Sequence, residues 1–148
     1  MIDLNYLTID FNDYWGIIME LDSQKVVEKI EEYRKDYSCS QATLMGICDV
    51  AGMPTEELAL LAKGFSGGIG GTFSEGTCGA VTGAVMALGL LGADEKQIIS
   101  ASKKLFNEFK DKYESVTCGY ISKDGDDKSP CVEVCLFAGE KVCEYLKE

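Results

Sequence analysis

Seven cysteines are the residues of this chain whose type and placement could do chemistry: Cys39, Cys48, Cys78, Cys118, Cys131, Cys135 and Cys143. Ser38 precedes Cys39, Thr77 precedes Cys78, and Ser129-Pro130 precedes Cys131, each at the start of a predicted helix. Thr117 precedes Cys118 in a segment that reads as loop. A thiol in the first turn of a helix faces unpaired backbone N–H groups and the positive end of the helix dipole. Both features favour the thiolate, the form that binds metal or attacks a disulfide. Cys39, Cys78, Cys118 and Cys131 are therefore candidates for one shared site. Cys48 falls mid-helix beside Leu44, Ile47 and Ala51, and Cys143 lies on the stripe Val132, Leu136, Gly139, Leu146; both read as core. Cys135 stands one turn beyond Cys131 on the same face and reads equally as reserve ligand or core filler.

Other chemistries are excluded by what the chain lacks. There is no histidine, so Ser-His and Cys-His nucleophilic machinery, His-ligated zinc, Rieske clusters and His-ligated haem have no ligands or bases. No Cys-x-x-Cys occurs, which removes the thioredoxin motif, zinc ribbons, ferredoxin runs and c-type haem attachment. Gly68-Ile69-Gly70 continues to Phe73 where GxGxxG needs glycine, and no Gly-Lys-Ser/Thr follows. Asp124, Asp126 and Asp127 begin like a calcium loop, but Lys128 stands at the third ligand position, so the stretch reads as a solvated turn. A net charge of −11 without a basic run argues against nucleic acid and against anionic membrane surfaces. The acidic N-terminus lacks the layout of a signal peptide, and an odd cysteine count then points to reduced thiols in the cytoplasm.

The element that must position these thiols is Gly64–Ala93, a glycine-rich loop running into the most apolar helix pattern of the chain. Glu75 is its only charged residue, and Cys78 sits where loop becomes helix. Gly79, Gly83 and Ala87 recur every four residues, leaving one helix face almost bare for another helix or a cofactor to approach. The uncharged run Gly76–Ala93 is long enough to raise a membrane span. Its five glycines, two threonines and lack of basic or aromatic flanks favour a buried central helix instead.

Around it the pattern predicts an all-α helical bundle of about six helices. Residues 1–22 read as an N-terminal arm, acidic throughout, packed on the domain or on a second subunit as in a homodimer; residues 23–148 form the domain. Val26, Ile30, Tyr33 and Tyr37 mark an amphipathic helix over 23–37. Ser38 and Gln41 fit a capping box for a helix reaching about Ala51, and Gly52 with Pro54 stop it. A short helix over 55–64 precedes the loop. Asp94 and Gln97 form a second capping box before a long helix carrying Ile98, Ala101, Leu105 and Phe109. Residues 116–129 read as loop, and Ser129 with Pro130 open the last helix, to about Leu146.

Ser38-Cys39-Ser40-Gln41-Ala42, the loop Gly67–Gly70, Cys78-Gly79-Ala80-x-x-Gly83 and the single cysteines at 118 and 131 resemble the C_GCAxxG_C_C family of putative redox-active proteins. The likeness runs from about Val26 to Leu146. It implies a small helical domain with a redox role, its four cysteines mapping onto Cys39, Cys78, Cys118 and Cys131. The family is also similar to the iron–sulfur-binding part of split-Soret cytochromes, of which only the cluster half could carry over.

Three functions use these residues. An iron–sulfur electron-transfer module would be ligated by Cys39, Cys78, Cys118 and Cys131, with N–H groups of Gly67, Gly68, Gly70 and Gly71 at the cluster and Gly79 giving it room. Its acidic surface would suit a basic redox partner protein. A metal-free thiol–disulfide protein would attack through Cys78, with Cys39 among the resolving candidates. An all-thiolate zinc site on the same residues, or an inert binding protein, is the third.

Overall fold

Two helix starts are closed by an aspartate, Asp22 and Asp94, whose side chains accept from exposed N–H groups. The computed structural model describes residues 21–123 and 126–148. Among these the chain forms seven helices and no sheet: α1 Ser23–Tyr33, α2 Cys39–Val50, α3 Glu56–Lys63, α4 Gly79–Leu91, α5 Glu95–Tyr113, α6 Cys118–Ser122 and α7 Ser129–Leu146. The all-α expectation holds, with one helix more than anticipated because part of the expected loop 116–129 folds as α6. Most of the proposed arm, residues 1–20, lies outside the described residues, as does Asp124 of the rejected calcium loop. Leu21 belongs to the core, and Asp22 caps α1 by accepting from the N–H groups of Gln24 and Lys25.

Ser38 and Gln41 form the expected capping box, with the Ser38 N–H donating to Gln41 Oε1 at 3.2 Å. At α5, Gln97 N–H donates to Asp94 Oδ1 at 2.8 Å, while the Gln97 side chain accepts from Ala93 N–H instead of Asp94 N–H. Two boundaries differ from the periodic reading. The first helix ends at Tyr33, and Arg34 Nη1 donates to the Tyr37 carbonyl at 2.7 Å across the turn that follows. The last helix starts one residue early: Lys128 is the cap, and Ser129, already helical, donates its N–H to Asp127 Oδ1 at 2.9 Å.

Helix α4 is the centre, packed against α2, α5 and α7. It buries Gly79, Ala80, Val81, Gly83, Ala84, Ala87, Leu88 and Leu91, leaves Thr82, Val85 and Met86 half-buried, and exposes Gly89 and Leu90 in its last turn. No helix among the described residues is long and apolar enough to cross a membrane. A Cβ placed on Gly79 would lie 2.7 Å from Ser40 N, and one on Gly83 would lie 2.5 Å from Ser40 O. The bare face of α4 therefore takes the first turn of α2. A matching device seats α1, where Ile30 is fully buried between Gly46 of α2 and Gly139 of α7. Burial of that side chain contributes about 1.5–3 kcal/mol, and either glycine would obstruct it with a larger residue.

Candidate thiol site

Backbone bonds bring the segments of Cys78 and Cys118 together. Thr77 and Thr117 pair as an isolated antiparallel bridge. Cys78 N–H donates to Val116 O at 2.6 Å, and Cys118 N–H donates to Gly76 O at 2.8 Å. Cys78 is thereby the capping residue of α4 and Cys118 the first residue of α6. The α2–α4 contact supplies the third thiol, since a Cβ on Gly79 would stand 3.0 Å from the Cβ of Cys39. Helix α7 brings the fourth: Cys39 Sγ lies 3.8 Å from the carbonyl of Cys131. Four cysteines separated widely in sequence thus arrive on one side of the bundle, each in the first turn or at the cap of a helix.

Cys135 arrives with them. It is fully buried, and its Sγ lies 3.1 Å from the Cys131 carbonyl and 3.8 Å from the Cys39 carbonyl. Cys48 and Cys143 are core residues, as their apolar stripes imply. Burial holds their thiols up, at about 12 for Cys48 and about 11 for Cys143.

The site thiols interact electrostatically as a group. Burial pushes Cys78 up to about 12, and Cys39, Cys118 and Cys131 each add to the rise, against the Ala80 N–H that bonds its sulfur. At Cys39 the Cys131 thiol acts first and downward, but the Cys135 thiol and burial outweigh it and leave the group at about 12. Cys131 is raised by the Cys39 thiol and then by burial. Cys118, half-buried, is raised by burial and then by Cys131. The expectation that helix N-termini would favour thiolate is corrected here. A dipole at a helix end supplies about 0.3–1 kcal/mol, while each pKa unit lost to burial is about 1.4 kcal/mol. Desolvation wins.

Two cations oppose that rise. Arg34 pulls Cys39 and Cys131 down, and Lys128 does the same at Cys118 and Cys131. Arg34 is the chain's one arginine, and its Nε is buried without a hydrogen-bond partner. Sequence reasoning passed over it, although its place in the turn just ahead of Cys39 is the signal that points to it.

The glycine loop is positioned differently from the expectation. Gly67, Gly68, Gly70 and Gly71 take φ values of 60°, 87°, 56° and 79°, a region that favours glycine. Gly70 and Gly71 donate their N–H groups to Gly64 O and Ser66 O, so in those two the expected cofactor amides close the loop on itself, at an exposed tip. Gly68 packs against Gly76 backbone to backbone, and Gly76 carries the carbonyl that receives Cys118. The loop base thus supports the Cys78–Cys118 pairing. Gly79, expected to give a cofactor room, is covered by Ser40 and Cys39. As the side chains stand, no three His, Cys, Asp or Glu residues among the described ones are set to hold a metal ion.

A model of the C_GCAxxG_C_C family, described as putative redox-active proteins, matches residues 37–145. The chain belongs to that family. No curated protein and no solved structure matches it.

Proposed function

We propose that the protein transfers electrons through an iron–sulfur cluster ligated by Cys39, Cys78, Cys118 and Cys131. The observation that supports this reading is the convergence of the four segments: Cys78 N–H bonds Val116 O and Cys118 N–H bonds Gly76 O, Gly79 abuts the Cβ of Cys39, and Cys39 Sγ lies 3.8 Å from Cys131 O. Thiolates are the standard ligands of such clusters, so the donor set fits the group. Crowded, desolvated thiols stay protonated by themselves, because ionising several would place like charges together in low dielectric. Coordination to metal deprotonates a thiol outright and supplies the missing positive charge. When bound, the cluster would supply one-electron transfer.

The chain's own residues contribute enclosure and tuning. Ala80 N–H bonds the Cys78 sulfur, and Arg34 and Lys128 set positive charge beside Cys39, Cys131 and Cys118. Such partners shift the potential of a thiolate-bound centre. Thiol–disulfide exchange is less well served. It needs an attacking thiol ionised near neutrality. Burial holds the Cys78 thiol up at about 12, so it stays protonated near neutrality. A basic redox protein is the partner that the acidic chain suits, and a reducing compartment such as the cytoplasm would keep the cysteines, all free thiols, available.

Purification without oxygen, followed by iron and sulfide analysis and a visible spectrum, tests the proposal. Iron and sulfide in near-equal amounts, with a broad absorption bleached by reductant, are expected. Stoichiometric zinc without sulfide would replace electron transfer with a structural role. Metal-free protein with a reversible disulfide among the four cysteines would return the assignment to thiol exchange.

A further inference from the structure

Cys135 lies outside the four cysteines proposed above as ligands, yet it occupies the seam between α2 and α7. A thiol donating to the carbonyl one turn back, as Cys135 does to Cys131 O at 3.1 Å, is ordinary within a helix. Its approach to the opposite helix is not explained that way. Cys135 Sγ also lies 3.8 Å from Cys39 O, and in the reverse sense Cys39 Sγ lies 3.8 Å from Cys131 O. Cys39 therefore touches both Cys131 and Cys135, which stand on consecutive turns of one helix face. We infer that Cys135 is an alternate sulfur of this site, able to replace Cys131 as the partner of Cys39. The inference rests on the reading of these cysteines as one ligating site. Five sulfurs then serve four positions, and a site with one to spare can exchange a ligand without opening the fold.

The test uses the full chain, purified without oxygen, as Cys131→Ser, Cys131→Ala, Cys135→Ser and the double Cys131→Ser/Cys135→Ser variant. The first readout is iron per chain. The inference predicts that both Cys131 variants keep more than about half the wild-type iron, Cys135→Ser keeps nearly all, and the double variant keeps less than about a tenth. Cys131 variants as poor in iron as the double variant would overturn it. The second readout needs no metal. Dibromobimane, which joins only neighbouring thiols by displacing one bromide from each end, is added to reduced, metal-free Cys131→Ser, and the peptides are mapped. A Cys39–Cys135 crosslink is expected, and separate single adducts would contradict the inference. If wild-type protein holds no iron, the cluster reading fails alone and the crosslink decides this inference.

Discussion

Gly79 lies so close to Cys39 that a Cβ added to it would stand 3.0 Å from the Cβ of Cys39 and 2.7 Å from the backbone nitrogen of Ser40. The obstruction is backbone, which cannot turn aside as a flexible side chain would. Gly79→Ala must displace the start of α2, carrying Cys39 away from Cys78. We expect a loss of about 1–3 kcal/mol in urea unfolding, the usual cost of overpacking a close contact. Gly89→Ala is the control on the same helix, because nothing lies within 4 Å of its added Cβ. It should stabilise by about 0.5–1 kcal/mol through helix propensity. Equal effects from the two substitutions would show that α2 does not seat on that face.

Stability should fall in alkali before the backbone itself is at risk. Cys48 has its pKa raised from 9.0 to about 12 by burial, so the folded state retains a proton that the unfolded chain releases. That contribution is whole below pH 9, declines above it and is gone beyond pH 12. The slope is on the order of 1 kcal/mol per pH unit for one such thiol. Thermal midpoints measured from pH 8 to pH 11 should drop steadily in wild type and less steeply in Cys48→Ala. Parallel curves would remove Cys48 as a contributor.

Arg34 should matter to the reactivity of Cys39 in the metal-free protein. Its charge pulls the Cys39 and Cys131 thiols down against burial. Arg34→Gln should slow alkylation of Cys39 at fixed pH by roughly two- to fivefold, with the difference narrowing in high salt. Lys35→Gln, on the neighbouring exposed residue, should leave the rate unchanged. An unaltered rate in Arg34→Gln would make the arginine a matter of packing alone.

Local chemistry made much of this fold readable. The capping boxes at Ser38 and Asp94 mark real helix starts, and the small-residue face at Gly79 and Gly83 marks a real close approach. What that face receives was not legible, because a bare surface does not name its occupant. Helix α6 escaped because five residues are too few to show a period, and the Thr77–Thr117 pairing that sets it in place is tertiary. The direction of the thiol shifts was missed for the same reason: the dipole is local and visible in sequence, whereas desolvation depends on the whole bundle. Cys135 divided evenly between two roles until α2 was seen against it.

The central claim is best tested by measuring iron and sulfide together in wild type, Cys78→Ser and Cys48→Ala, all purified without oxygen. Cys78 stands where the Cys118 segment and the start of α2 meet α4, and Cys48 is a buried thiol of the core. The account predicts equal iron and sulfide in wild type and Cys48→Ala, and loss of both in Cys78→Ser. Iron and sulfide that persist in Cys78→Ser, or that are missing from all three proteins, would contradict it.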